Sequence, residues 1–98
     1  MLKNGLKEKD IESYLVAEVK KLKGKSYKWV SPGTVGVPDR LVFLPGGISF
    51  IIELKRPGEK TRPNQDRQIS ILKGLGQIVD VLDTKEKIDK YLDKYRKE

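Results

Sequence analysis

Apolar residues recur near the start of the chain at helical spacing: Ile11, Leu15, Val19 and Leu22 are separated by four, four and three positions, predicting an amphipathic helix over residues 8–23. Gly24 reads as its stop. A Lys-rich polar stretch leads into Tyr27-Lys28-Trp29-Val30, a first strand, and the loop Ser31-Pro32-Gly33-Thr34-Val35-Gly36-Val37-Pro38 then delivers Asp39. Next comes a hairpin: residues 40–44 are one strand, Pro45-Gly46-Gly47 the turn, and residues 48–53 the return. Both of its faces are apolar, with Val42, Leu44, Ile48, Phe50 and Ile52 on one side and Leu41, Phe43 and Ile51 on the other. Such strands belong in the middle of a covered sheet.

Beyond a basic loop over residues 56–62, Pro63 suits the first turn of a helix running to about Gly74, with Ile69, Leu72 and Leu75 facing inward. Residues 77–82 make a fourth strand, and Thr84 caps a last helix whose buried stripe is Ile88, Tyr91, Leu92 and Tyr95. The order αβββαβα predicts one layered α/β domain over residues 1–98, with helices on both faces of the sheet.

Counting around the hairpin turn brings candidate chemistry into view. If Leu44 faces Ile48, the same register sets Asp39 opposite Glu53, and Lys55 shares the face of Glu53 while Leu54 points away. Opposed residues on one face have Cβ atoms roughly 4.5 to 5.5 Å apart, so two carboxylates there repel unless a cation lies between them. A bulge in the turn would shift this register by one.

Charge and composition narrow the choice. Lys and Arg number 21 against 14 Asp and Glu, a net charge of +7 that favours a polyanionic partner, nucleic acid first. The chain has neither Cys nor His, which excludes zinc fingers, thiol chemistry and an imidazole base. A hard cation held by carboxylates and carbonyls remains, Mg²⁺ or Mn²⁺ rather than zinc. No apolar run approaches the roughly 20 residues of a membrane span. The first five residues carry no signal-peptide core, so an intracellular, cytoplasmic protein is expected.

Gly36-Val37-Pro38-Asp39-Arg40, Glu53-Leu54-Lys55 and Gln65 opening the next helix, in that order and spacing, resemble the VRR-NUC domain, the virus-type replication-repair branch of the PD-(D/E)XK nucleases. The resemblance runs from about Glu8 to Leu92. It implies a restriction-endonuclease-like core with a central mixed sheet flanked by helices. It also implies that Asp39 and Glu53 bind the catalytic metal, that the Leu54 carbonyl completes the coordination, and that Lys55 acts beside the attacking water. Such nucleases add an acid from the first helix; Glu8 is preferred through its spacing to Ile11, with Glu12 as the alternative.

Phosphodiester hydrolysis sets a weak nucleophile against an anion, so a cation must screen the phosphate and acidify water. Lys55 then either orients or deprotonates that water, or stays charged and stabilises the pentacovalent phosphate, and Gln65 positions water or phosphate through its amide. Arg56, Lys60, Arg62 and Arg67 are placed to grip the phosphate backbone, with Ser31 and Gly33 in the loop before Asp39 as further DNA-binding residues and Gly36 there for close approach of backbone to DNA. The expected function is a Mg²⁺-dependent DNA endonuclease, with Mn²⁺ able to substitute, leaving a 5′-phosphate and a 3′-hydroxyl. A domain this small cannot read much sequence, so branched DNA or a four-way junction is the expected substrate, cut by a homodimer. Phage origin in a bacterial host fits a stand-alone domain of this family. The alternative is a catalytically weak basic DNA-binding or assembly protein on a nuclease fold. A nucleotide-binding enzyme is disfavoured, since no Gly-rich loop is followed by Lys and Ser or Thr.

Overall fold

The computed structural model describes residues 7–96, so the reading of the first five residues lies outside them. The described chain runs α1 (Glu8–Lys21), β1 (Lys25–Lys28), β2 (Arg40–Leu44), β3 (Ile48–Leu54), α2 (Pro63–Gly74), β4 (Val79–Leu82) and α3 (Lys85–Leu92), with a closing 3₁₀ turn over Asp93–Tyr95. The strands form one sheet in the order β1-β2-β3-β4. The first three are antiparallel, and β4 returns parallel to β3 after α2, so the sheet is mixed. The two strands of the hairpin are its central pair, as their apolar faces require.

Strand alternation divides the interior. Val42, Leu44, Phe50, Ile52 and Leu54 pack against Ile11, Leu15 and Val19 of α1 and Ile88 and Leu92 of α3. On the opposite face Ile51 and Val79 pack with Ile69 of α2, and Trp29, Leu41 and Leu72 are half-buried around them. Leu75, expected to face inward, is 71% exposed, because α2 ends at Gly74 and Leu75 is its C-cap. Tyr91 and Tyr95 are half-buried, ringing Phe50 at centroid distances of 5.1 and 5.6 Å.

Local signals set most boundaries. Pro63 opens α2, and the Thr84 hydroxyl accepts the Lys87 N–H at 3.0 Å to cap α3. The end of α1 differs from its expected form. Lys23, at φ 66°, takes the left-handed position, with Gly24 N–H donating to the Val19 carbonyl and Lys23 N–H to that of Lys20. Gly24 serves close packing instead: a β-carbon there would lie 2.5 Å from Leu44 Cδ2 and 2.6 Å from the Phe43 carbonyl oxygen. β1 begins two residues before the expected Tyr27, through pairing of Lys25 with Phe43 and Ser26 with Val42.

Candidate active site

β2 and β3 pair in the register counted around the turn, Leu44 with Ile48 and Arg40 with Ile52. The next step would oppose Asp39 and Glu53, but the backbone ladder stops at Arg40. In its place the Leu54 N–H donates to Asp39 Oδ2 at 2.8 Å. The Asp39 carbonyl accepts the Trp29 N–H at 2.8 Å, and Pro38 is buried just before it, so the end of the loop is anchored from both sides.

Glu53 and Lys55 are 1% and 2% exposed, the charged residues that belong to the buried set among those described. Lys55 Nζ lies 3.5 Å from Glu53 Oε2, while Glu53 Oε1 is buried without a hydrogen-bond partner among the described residues. Burial, and then the Asp39 charge, push the Glu53 carboxyl up to about 7 against the pull of Lys55. Burial also raises Asp39, opposed by the Leu54 N–H, and a protonated Glu53 can share its hydrogen with Asp39. When both groups ionise no donor remains between them. An unpartnered, buried carboxylate oxygen beside a second carboxylate, with oxygen donors throughout, fits a hard divalent cation.

The two helix acids are placed differently. Glu8 is raised by partial desolvation and then by Asp39, with Lys55 pulling the other way, which puts it in the field of the site. Glu12, whose charge also raises Asp39, accepts from Arg40, at 3.0 Å from Nε and 2.9 Å from Nη2. Among the described residues no three Asp, Glu, His or Cys side chains converge into a closed ligand set; the preformed element is the Asp39 and Glu53 pair.

Gln65 sits in the first turn of α2, where its Oε1 accepts the Arg62 N–H at 2.9 Å and so caps the helix. The close approach that Gly36 permits is internal, since at φ 94° a β-carbon would fall 2.5 Å from the Asn64 carbonyl oxygen. That contact packs the Asp39 loop on the first turn of α2. Gly33 is exposed and Ser31 half-buried in the same loop; Arg56, Lys60, Arg62 and Arg67 are all exposed, Arg56 through its backbone N–H bonded to Glu59. A hollow of about 440 Å³ lined by Leu22, Leu44, Pro45, Ile48, Lys94 and Tyr95 lies at the hairpin-turn end of the sheet. It holds no acid, so charge chemistry rather than concavity locates the site.

No family model matches the chain. A phage protein named "Putative nuclease p44", from Acyrthosiphon pisum secondary endosymbiont phage 1, is 51% identical over 81 residues, which are 83% of this chain and 87% of the phage protein. A solved structure described as "VRR_NUC domain" superposes with a TM-score of 0.84 at 29% identity, over 90% of this chain and 96% of the other. The chain belongs to the VRR-NUC nuclease family.

In this VRR-NUC protein the separated segments of the sequence pattern meet at one end of the sheet: the Asp39 loop, the end of β3 and the first turn of α2. Two participants were not foreseen. The Leu54 N–H that orients Asp39 leaves no side-chain signal. Arg40 does, because strand alternation turns it away from the Asp39 face and toward α1, where Glu12 waits one turn after Glu8.

Proposed function

We propose that this protein is a divalent-cation-dependent endodeoxyribonuclease that acts inside the cell on branched DNA, four-way junctions foremost, as a homodimer. The observation that carries the reading is half-buried Asp39 beside buried Glu53, with Glu53 Oε1 unpartnered and Lys55 alongside. Asp39, Glu53 and the Leu54 carbonyl would hold Mg²⁺ or Mn²⁺, with Glu8 from α1 joining them. When bound, the cation screens the phosphate, acidifies water and stabilises the leaving oxygen.

The remaining work falls to the chain itself. The Leu54 N–H fixes one Asp39 oxygen, leaving the other free to face the cation. Lys55, sealed from bulk water and 3.5 Å from Glu53, would act beside the attacking water, orienting or deprotonating it, or would stabilise the pentacovalent charge. The P–O3′ bond then breaks, giving a 5′-phosphate and a 3′-hydroxyl. Gln65 has its carbonyl engaged in the cap, so its amide NH₂ is the group it offers toward water or phosphate. Arg56, Lys60, Arg62 and Arg67, exposed beyond β3, contact the backbone without reading bases, and Ser31, Gly33 and Gly36 border the same approach. Two paired cuts across a two-fold junction call for a C2 dimer.

Incubation with linear, flapped and four-way-junction DNA in Mg²⁺, Mn²⁺ or EDTA tests the reading. Paired nicks near the branch point in either metal and none in EDTA are expected. Tight DNA binding with no cleavage of any substrate would favour a DNA-binding or assembly role instead.

A further inference from the structure

We propose that the Glu12–Arg40 ion pair is a positioning device that seats the first turn of α1 over the strand end carrying Asp39, so that Glu8 reaches the carboxylate pair. It rests on the reading of Asp39, Glu53 and Glu8 as the cation-holding set.

The direction of the helix is the first ground. Glu12 bonds Arg40 at the start of β2, and Gly24, just past the other end of α1, packs on Leu44 at the end of β2. α1 therefore follows β2, and Glu8, one turn ahead of Glu12, lies on the Asp39 side of Arg40. The second ground is what apolar packing leaves undetermined. Ile11, Leu15 and Val19 fix how deeply α1 sits, but burial is non-directional and sets the axial position weakly. A guanidinium placing two nitrogens on the single oxygen Glu12 Oε2, with side chains only 17% and 28% exposed, is directional and poorly screened. It is attached to the residue next to Asp39, so the register it sets is the register of the site.

The molecule supplies its own control. Toward the other end of α1, Arg96 Nη2 pairs with Glu18 at 2.9 Å, and from the middle of the helix the Tyr14 hydroxyl donates to Asp89 at 2.7 Å. These tie α1 to α3, away from the carboxylates, and a merely structural role for Arg40 would make the two anchors equivalent.

The experiment compares Arg40→Met, Arg40→Lys, Glu8→Gln, the Glu8→Gln/Arg40→Met double variant, Asp39→Asn and Arg96→Gln. Five quantities are measured: Mn²⁺ affinity by calorimetry, kcat and KM on a four-way junction, junction affinity in EDTA, and melting temperature. Arg40→Met is expected to lower kcat about ten-fold or more and weaken Mn²⁺ binding as Glu8→Gln does, with the double variant no worse than Glu8→Gln alone. Junction affinity in EDTA stays at the parent level, Arg40→Lys recovers part of the loss, and Arg96→Gln lowers the melting temperature while leaving kcat and Mn²⁺ affinity unchanged. Additive losses in the double variant overturn the proposal, as does a loss of kcat on Arg96→Gln equal to that of Arg40→Met. Weakened binding in EDTA with a shallower salt dependence overturns it in favour of a phosphate contact. If Arg40→Met fails to fold, Glu12→Gln and Arg40→Lys make the same comparison. Unchanged Mn²⁺ binding in Asp39→Asn would sink the underlying cation reading; its loss there, with Arg40→Met unaffected, sinks the positioning role alone.

Discussion

On the α1 and α3 side of the sheet, Val42, Phe50, Ile52 and Leu54 meet two helices and are sealed from solvent; on the other side, whose row holds Leu41, Phe43, Ile51, Glu53 and Lys55, only Leu41 and Ile51 join the small cluster with α2. The second face is thinner at its edge too, where Tyr27 and Phe43 stack edge to face at 6.0 Å yet remain 51% and 47% exposed. Along β3 the even-numbered residues are core and the odd-numbered ones end in the charged pair. A strand has one backbone and two independent side-chain rows, so rigidity can be assigned to one row and reactivity to the other. The charged row is expensive to bury. It sits where the first face is best packed, so Ile52 and Leu54 hold rigid the backbone that carries Glu53 and Lys55.

The sharpest break in that division comes from replacing the chemistry and leaving the core. Asp39→Asn and Glu53→Gln are each expected to lower cleavage about a thousand-fold or more with the fold and DNA binding retained. Gel assays on a substrate the parent cuts, beside circular dichroism, check this; near-parental cleavage by both variants would remove them from the site. Lys55→Ala should lose most activity but less Mn²⁺ affinity than Glu53→Gln.

The reverse operation removes core and leaves chemistry. Ile52→Ala and Leu54→Ala should each cost roughly 2 to 5 kcal/mol in urea unfolding, whereas Ile69→Ala on the thinner face should fall at the lower end of that range. An equal cost on both faces would contradict the asymmetry.

A third test uses pH in EDTA. The Glu53 carboxyl titrates near 7 in the folded protein against an ordinary 4.5, so the folded state binds the extra proton between those values. Its contribution is fully present below about 4.5 and lost as pH rises through 7, on the order of 3 kcal/mol. Asp39 and Glu8, also raised, act in the same sense. Asp83 and Asp89, held low by Lys87 and Gly58 and by Tyr14 and Arg96, oppose it only in more acid solution. The metal-free protein should therefore melt lower at pH 8 than at pH 5, and Glu53→Gln should flatten the slope. A melting temperature that rises over this window would make Glu53 and Lys55 a stabilising ion pair.

The smallest effect concerns the exposed cations beyond β3. Replacing two of Arg56, Lys60, Arg62 and Arg67 should weaken binding to all DNA sequences alike and flatten the log-log salt slope by about 0.9 per lost contact. An unchanged slope would return them to an ordinary solvated surface.

Much of this molecule is legible in one dimension because its signals are local. The hairpin register follows from apolar alternation and a turn of fixed length, and with it the meeting of Asp39 with the end of β3; Pro63 and Thr84 mark their helix starts within one turn. The family pattern is legible for the same reason, being a set of spacings. What the sequence could not settle depends on residues distant in the chain. Lys25 and Ser26 become strand by pairing with β2, not by their own weak pattern. Gly24 is required by Leu44 and Phe43, and Gly36 by Asn64. Glu8 and Glu12 look alike one turn apart until Arg40 takes one of them. Periodicity determines which face a side chain occupies, a property of the local backbone; which partner it meets is decided by how the elements pack, and only the tertiary structure contains that.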